Sequence, residues 1–285
     1  MYEVIVIGAG LAGIGMAIAL KRAGRHDFAL LERADDIGGA WRGSLRHCAE
    51  EFGVTPHIRC GADVRSAVYD EAGAAWTVGT ADGARHRARA VVMAVGTLCD
   101  PARPADFGPE SFAGAALRSG RRDRSVDPAG GRTRVTGVLG DREFARGTVV
   151  GRGGRRLEDA WGEGAEALLG VSVSGFPNLF WLAGPDIAGA RDSAVPVERR
   201  IGYVRQALDV LDTAASIEAR ADAPRMFGDG WRTLLRRAVW SIGGCESWYL
   251  EERRRIRLRM SGSTWWQRER KRELRREDFH IRPRA

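Results

Sequence analysis

The chain has 285 residues, 44% hydrophobic and 29% charged, a balance that excludes a disordered or fibrous chain and allows one large domain or two ordinary ones. Its formal charge of +8 is almost all arginine, since lysine stands only at Lys21 and Lys271; the charge fits either an anionic partner such as nucleic acid or a compositional habit, and its scatter favours the habit. Cys48, Cys60, Cys99 and Cys245 form no C-x-x-C pair and the five histidines are dispersed, which argues against a zinc site or a disulfide framework and leaves reduced thiols in a cytoplasm as the expectation.

Residues 4–20, VIVIGAGLAGIGMAIAL, carry no charge and approach the length of a short membrane span. Four glycines lie inside the run, and Glu3 precedes it where a signal peptide would carry a cation. The expectation is therefore a buried strand leading into a buried helix, with no membrane partner. Val4–Gly8 suits a strand covered on both faces. Gly8-x-Gly10-x-x-Gly13 follows and opens an apolar helical pattern that Gly24 closes. In that spacing the first glycine permits a tight turn, the second lets a pyrophosphate approach the backbone, and the third lets helix and strand pack closely. FALLE, residues 28–32, reads as a second strand ending at Glu32, nineteen residues after Gly13. A carboxylate there accepts hydrogen bonds from a ribose diol and repels a 2′-phosphate. The motif leaves FAD and NAD both open.

LRHCAEEFGV, residues 45–54, has helical spacing. Three strand-like runs follow, IRCGADVRSAVYD, AAWTVGTADG and HRARAVVMAVG, with turns at 70–73 and 82–83. In the last third, VERRIGYVRQALDVL (197–211) carries apolar residues at Ile201, Val204, Leu208 and Leu211, the mark of an amphipathic helix. A second helix is expected over 231–242. The tail holds ERRRIRLR (252–259) and RERKRELRR (268–276), with Trp265 and Trp266 between them. One reading is a nucleic-acid surface with arginines on phosphates and tryptophans stacking on bases. The other is a packing segment with arginines laid on tryptophan faces, and this is preferred; nucleic acid is the less favoured partner.

ERADDIGGAW, residues 32–41, narrows the cofactor. Glu32-Arg33, then Gly38, Gly39 and Trp41, resemble the stretch that runs alongside FAD in flavoprotein monooxygenases. Ala94-Val95-Gly96 is similar to the A-T-G segment of two-domain flavoproteins, with Val95 where threonine is usual. Further likeness lies in 96–114, in 157–186 and in 239–250, in family order. The chain thus resembles the flavin-containing and Baeyer–Villiger-type monooxygenases. The resemblance implies an FAD-binding fold, NADPH as reductant, a small-molecule substrate and oxygen insertion at the flavin. It also implies that Val64 reads the adenine through its backbone, and that Asp186, in GPDIAGARDS, lies near the flavin where the family has asparagine.

The sequence also departs from the family. In its signature F-x-G-x-x-x-H-x-x-x-W or Y, Phe112 and Gly114 are in place, but Arg118 and Arg122 replace the histidine and the aromatic. An arginine stays charged and cannot act as a neutral imidazole. The segment that lines the flavin after Trp41 is missing. After Gly131, where a second strand–GxGxxG–helix unit would bind NADPH, residues 132–154 offer none. The family's catalytic arginine has no counterpart, so no catalytic residue is assigned.

The expected fold is α/β: a Rossmann-type FAD-binding domain with a parallel sheet, a small β-meander excursion and a C-terminal helical cap. Residues 1–114 form its first portion. Residues 115–156 are an irregular remnant in place of the NADPH domain, and 157–285 complete the FAD domain and end in a helical basic tail. The expected function is that of an FAD-binding, monooxygenase-like oxidoreductase fed by a partner reductase or by free NADPH; a catalytically impaired FAD-binding relic is the alternative. The missing segments would uncover apolar surface, so self-association is expected.

Overall fold

The computed structural model describes residues 1–38, 42–96, 115–118, 133–136, 148–161, 167–182, 194–223 and 273–284. The sheet grows outward from β1 (Tyr2–Ile7), in which Val4, Ile5 and Val6 are wholly buried. α1 (Leu11–Arg22) carries the chain to β2 (Phe28–Leu31), and α2 (Arg42–Glu51) to the two-residue β3 (Ile58–Arg59). β1, β2 and β3 pair in parallel. An antiparallel meander follows, β4 (Val64–Asp70), β5 (Ala75–Thr80) and β6 (Arg85–Met93). β6 then lies parallel to β1, with Val4 opposite Ala90 and Ile7 opposite Met93.

β6 serves two neighbours on its other edge, and its sequence shows how. Residues 85–88 pair with β5, and 85–87 of them keep part of their surface in solvent. Residues 90–93 are buried on both faces, and Val91–Met93 pair in parallel with β10 (Leu179–Trp181). The expected last strand around residue 180 is therefore present, and it brings the last third of the chain into the sheet of the first third. Successive side chains go to opposite faces. Val4, Val6, Phe28, Leu30, Val92 and Phe180 enter one core, beneath the helices. Ile5, Ile7, Leu31, Val91, Met93 and Trp181 enter the other. Trp76 of β5, fully buried in this second core, donates its indole N–H to Pro177 O at 2.8 Å.

The expected helical cap is α4 (Ala194–Leu211), which packs on α1; Gly15 of α1 leaves room for Ile201. Arg200 of α4 is fully buried and donates to Leu182 O at 3.0 Å, at the end of β10. Loss of hydration pushes its guanidinium down to about 9.

Within 115–156 the described residues include three short strands: β7 (Ala115–Arg118) and β8 (Thr133–Thr136) pair in parallel, and β9 (Thr148–Val150) adds to the edge of β4. Val149 is buried there, and β-branched residues suit a short edge strand. The end of the tail is not helical. β12 (Phe279–Pro283) pairs antiparallel with β11 (Ala214–Ala219), burying Phe279. Its F-x-I alternation has the period of a strand, and the arginine-rich run before it obscured this in the sequence. The helix expected over 231–242 lies outside the described residues.

Candidate functional site

The G-x-G-x-x-G turn lies at the carboxyl end of β1, between β2 and β6, where an open α/β sheet leaves a crevice. Its three glycines have different physical reasons. Gly8 has φ +104°, and a Cβ there would lie 2.7 Å from Ala94 O. A Cβ on Gly13 would lie 1.8 Å from Gly8 O, so strand and helix meet only because neither residue has a side chain. Gly10 has φ −82° and ψ −166°, ordinary extended backbone open to any residue, and among the described residues a Cβ there would meet no atom beyond its chain neighbours within 4 Å. No described residue requires glycine at position 10, and space beside it is what a group approaching the backbone needs. α1 starts at this point with no side-chain cap and no acidic residue in its first turn. The positive end of its dipole faces the same space.

Glu32 closes the site from the end of β2. Its Oε2 accepts the Ala9 N–H at 2.7 Å and its Oε1 the Ala34 N–H at 2.9 Å. The carboxylate is thus fixed beside the glycine turn. Gly38 donates to Ala9 O at 2.8 Å, folding residues 33–38 back onto that turn. Arg33 is exposed in this loop. Ala62 donates to Glu32 O at 2.8 Å, and Val64, half-buried at the start of β4, is two residues further on. Ala94 is buried, donates to Ile7 O at 2.8 Å and backs Gly8. Gly96 has φ +78° with open space around its Cα.

The structure therefore brings Gly8, Gly10, Gly13, Glu32, Ala94 and Gly96 to one end of the sheet, with Arg33 in the adjoining loop and Val64 beside it. Gly39, Trp41 and Asp186 lie outside the described residues. Ala9 and Ala34, which hold Glu32 through main-chain N–H groups, were not legible in the sequence, because backbone donors leave no mark on residue type. The charge at this end was passed over as well. Partial burial and then the charges of Glu32, Asp36 and Asp35 push the Cys60 thiol up, with Arg46 opposing them. Asp35 and Asp36 stand in the quoted ERADD, so that signal was available. Among the described residues there is no metal-holding group of acidic, histidine or cysteine side chains, and no helix is long and apolar enough to cross a membrane.

The glycine turn, uncapped helix and fixed carboxylate fit the adenosine and pyrophosphate part of a dinucleotide such as FAD. Comparison with known proteins agrees. Residues 6–72 match the family model of the NAD(P)-binding Rossmann-like domain. A Baeyer-Villiger monooxygenase of Pseudomonas aeruginosa is 41% identical over 118 residues, covering 40% of this chain and 22% of that protein. One of Streptomyces coelicolor is 22% identical over 478 aligned positions, covering 97% of this chain and 91% of that protein. A chain of 285 residues cannot fill 478 positions, so that relative has internal segments with no counterpart here. Among solved structures, a steroid monooxygenase bound to NADP aligns with a TM-score of 0.80 at 18% identity, over 99% of each chain. OTEMO in complex with FAD and NADP aligns with a TM-score of 0.78 at 14% identity, over 98% of this chain and 99% of its own; these identities carry the fold alone. The chain is thus similar in sequence to Baeyer-Villiger monooxygenases and shares the fold of the solved monooxygenases, but is shorter internally than the Streptomyces coelicolor relative.

Proposed function

We propose that this chain is an FAD-binding oxidoreductase of the flavin monooxygenase type. It would hold the adenosine and pyrophosphate of FAD on Gly8, Gly10, Gly13 and Glu32. Arg33, Gly39, Trp41, Val64, Ala94, Gly96 and Asp186 would lie along the rest of the cofactor. The observation that carries the reading is Gly10: a glycine that neither its extended backbone nor packing among the described residues demands, at the start of an uncapped helix and near a fixed carboxylate. Bound flavin would supply two-electron chemistry with oxygen, and the chain's own residues would bind, orient and shield it. The substrate would be a small molecule, and the cytoplasm its location. The purified protein is expected to carry the visible bands of flavin, or to take them up on reconstitution with FAD. No uptake of FAD by the folded protein would remove the proposal.

A second reading is a relic that binds FAD without turnover. It is favoured by Arg118, in β7, standing where the family signature has histidine. Reduced protein that consumes oxygen without oxygenating any ketone in a broad panel would support it over the first. The uncovered apolar surface expected from the missing segments predicts self-association; a monodisperse monomer in sedimentation would contradict that. The basic runs weighed for nucleic acid, 252–259 and most of 268–276, lie outside the described residues.

A further inference from the structure

We infer that this chain takes no hydride from NADPH and that its reducing equivalents arrive as dihydro-FAD made by a separate NAD(P)H:flavin oxidoreductase. The inference rests on the FAD reading above and assigns the reaction that must precede this protein's own. OTEMO is held in complex with both FAD and NADP. In the present sequence one G-x-G-x-x-G follows a strand and opens a helix. The glycine-rich stretch nearest the place of a second unit, Gly151–Gly154, forms a short 3-10 turn, and the four-residue α3 (Leu157–Ala160) comes after it. A helix that short gives no phosphate-binding N-terminus. The long alignment with the Streptomyces coelicolor relative agrees, since its surplus positions must lie inside the span that this chain covers.

The nucleotide unit among the described residues is also unsuited to NADPH. Glu32 is held at both oxygens by backbone N–H groups, so swinging it aside to admit a 2′-phosphate would break both hydrogen bonds. Asp35 and Asp36 lie in the loop after it, Asp36 paired with Arg46 at 2.6 Å. A 2′-phosphate in the place of the ribose diol would meet the like charge of the Glu32 carboxylate. The unit therefore selects a dinucleotide with a free ribose diol, and FAD and NADPH cannot share it in turn.

On the reductase, a hydride from NAD(P)H and a proton from water convert FAD to FADH2 and release NAD(P)+. On this chain, FADH2, O2 and substrate would give FAD, water and the oxygenated substrate. The two electrons and two protons of the dihydroflavin reduce one oxygen atom to water, and the other atom enters the product. Such a cycle needs FAD and FADH2 to enter and leave, so both forms must bind reversibly.

The test uses the full chain under anaerobic conditions, with binding as the readout. Oxidised FAD is titrated by fluorescence quenching, and photoreduced FAD by retention on a desalting column. The two affinities are expected to agree within about tenfold. NADP+ at about 1 mM, the upper end of ordinary cofactor affinities, is expected neither to bind nor to displace FAD. NADPH alone should leave the bound flavin oxidised, and a catalytic amount of an NADH:flavin oxidoreductase with NADH should yield protein-bound reduced flavin. Bleaching of bound FAD by NADPH alone, or expulsion of reduced FAD, would overturn the inference while leaving FAD binding intact. Failure to bind FAD in either form would instead remove the function proposed above, and this inference with it.

Discussion

The two ends of the central sheet are built in opposite ways. At the carboxyl end, the turn after β1 has glycines in place of side chains, and α1 begins without a cap. At the amino end, side chains of the chain itself meet the charges and polar groups. Arg25 binds Glu3, Asp209 and Asp212, joining β1 to the end of α4. Arg89 donates to the carbonyls of Leu211 and Ala214. Asn178, at φ +57°, donates to Arg89 O and Ala215 O and accepts from Ile217 N–H, tying β6 and β10 to β11. A hollow of about 550 Å³ exists at this end, lined in part by Glu3, Arg25, Arg89 and Arg284, but these side chains already serve the fold. An end that closes on itself stabilises the protein. An end whose helix starts without a side-chain cap leaves backbone donors for the cofactor proposed above.

Substitutions should separate the two. The largest effect is expected from Gly13→Ala, whose Cβ would sit 1.8 Å from Gly8 O. Backbone meets side chain there, so relaxation must move β1 from α1, at a cost of about 3 kcal/mol or more. Urea unfolding would show a large fall in midpoint or no folded protein; a wild-type midpoint would mean the turn is misdescribed. Next is Asn178→Ala at the amino end. It strands the Arg89 and Ala215 carbonyls and the Ile217 N–H, for a loss of about 2–3 kcal/mol with no direct effect on nucleotide affinity. FAD affinity that falls as steeply as stability would show the ends to be coupled.

Gly10→Ser sharpens the contrast, because its effect should fall on binding alone. Serine is a good N-cap and the backbone there is extended, so stability should stay within about 0.5 kcal/mol. Flavin fluorescence should report an FAD affinity weaker by about tenfold or more, since the side chain occupies the phosphate approach. The smallest effect concerns pH. Hydrogen bonding to Arg25 holds the Asp212 carboxyl below the usual carboxylate range. A lowered folded-state pKa gives stability that is present above the unfolded value and lost as pH falls through the folded one. Asp212 is 52% exposed, so solvent screening limits the contribution to under about 1 kcal/mol. Asp212→Asn should melt slightly below wild type at neutral pH and level with it only once the pH is below the lowered folded-state pKa. A gap that persists in acid would assign the loss to something other than charge.

Much of the carboxyl end was legible in the sequence, because its parts follow one another at fixed spacing: Val4–Gly8, the three glycines, the apolar helix and Glu32. The amino end was not. Arg25 meets Asp212 and Arg89 meets Ala214 only once the chain has folded, and no local pattern announces such contacts. β9 and β12 were missed for the same reason. Each is short, and its partner, β4 or β11, is far away in sequence. The distinction among the three glycines also needed coordinates, since the motif shows that all are present but not which of them the protein itself requires.

The account stands most directly on one measurement, thermal melting of wild type and Gly10→Ser with and without FAD. A ligand that binds the folded state alone raises the midpoint by mass action, by about 2.7 kcal/mol at a hundredfold excess over its dissociation constant. Equal midpoints are expected without FAD, and a rise on adding FAD for wild type of which about half or more is lost in the variant. An equal rise in both would mean that FAD does not approach the backbone at Gly10. No rise in either would mean that the carboxyl end of this sheet does not receive the cofactor at all.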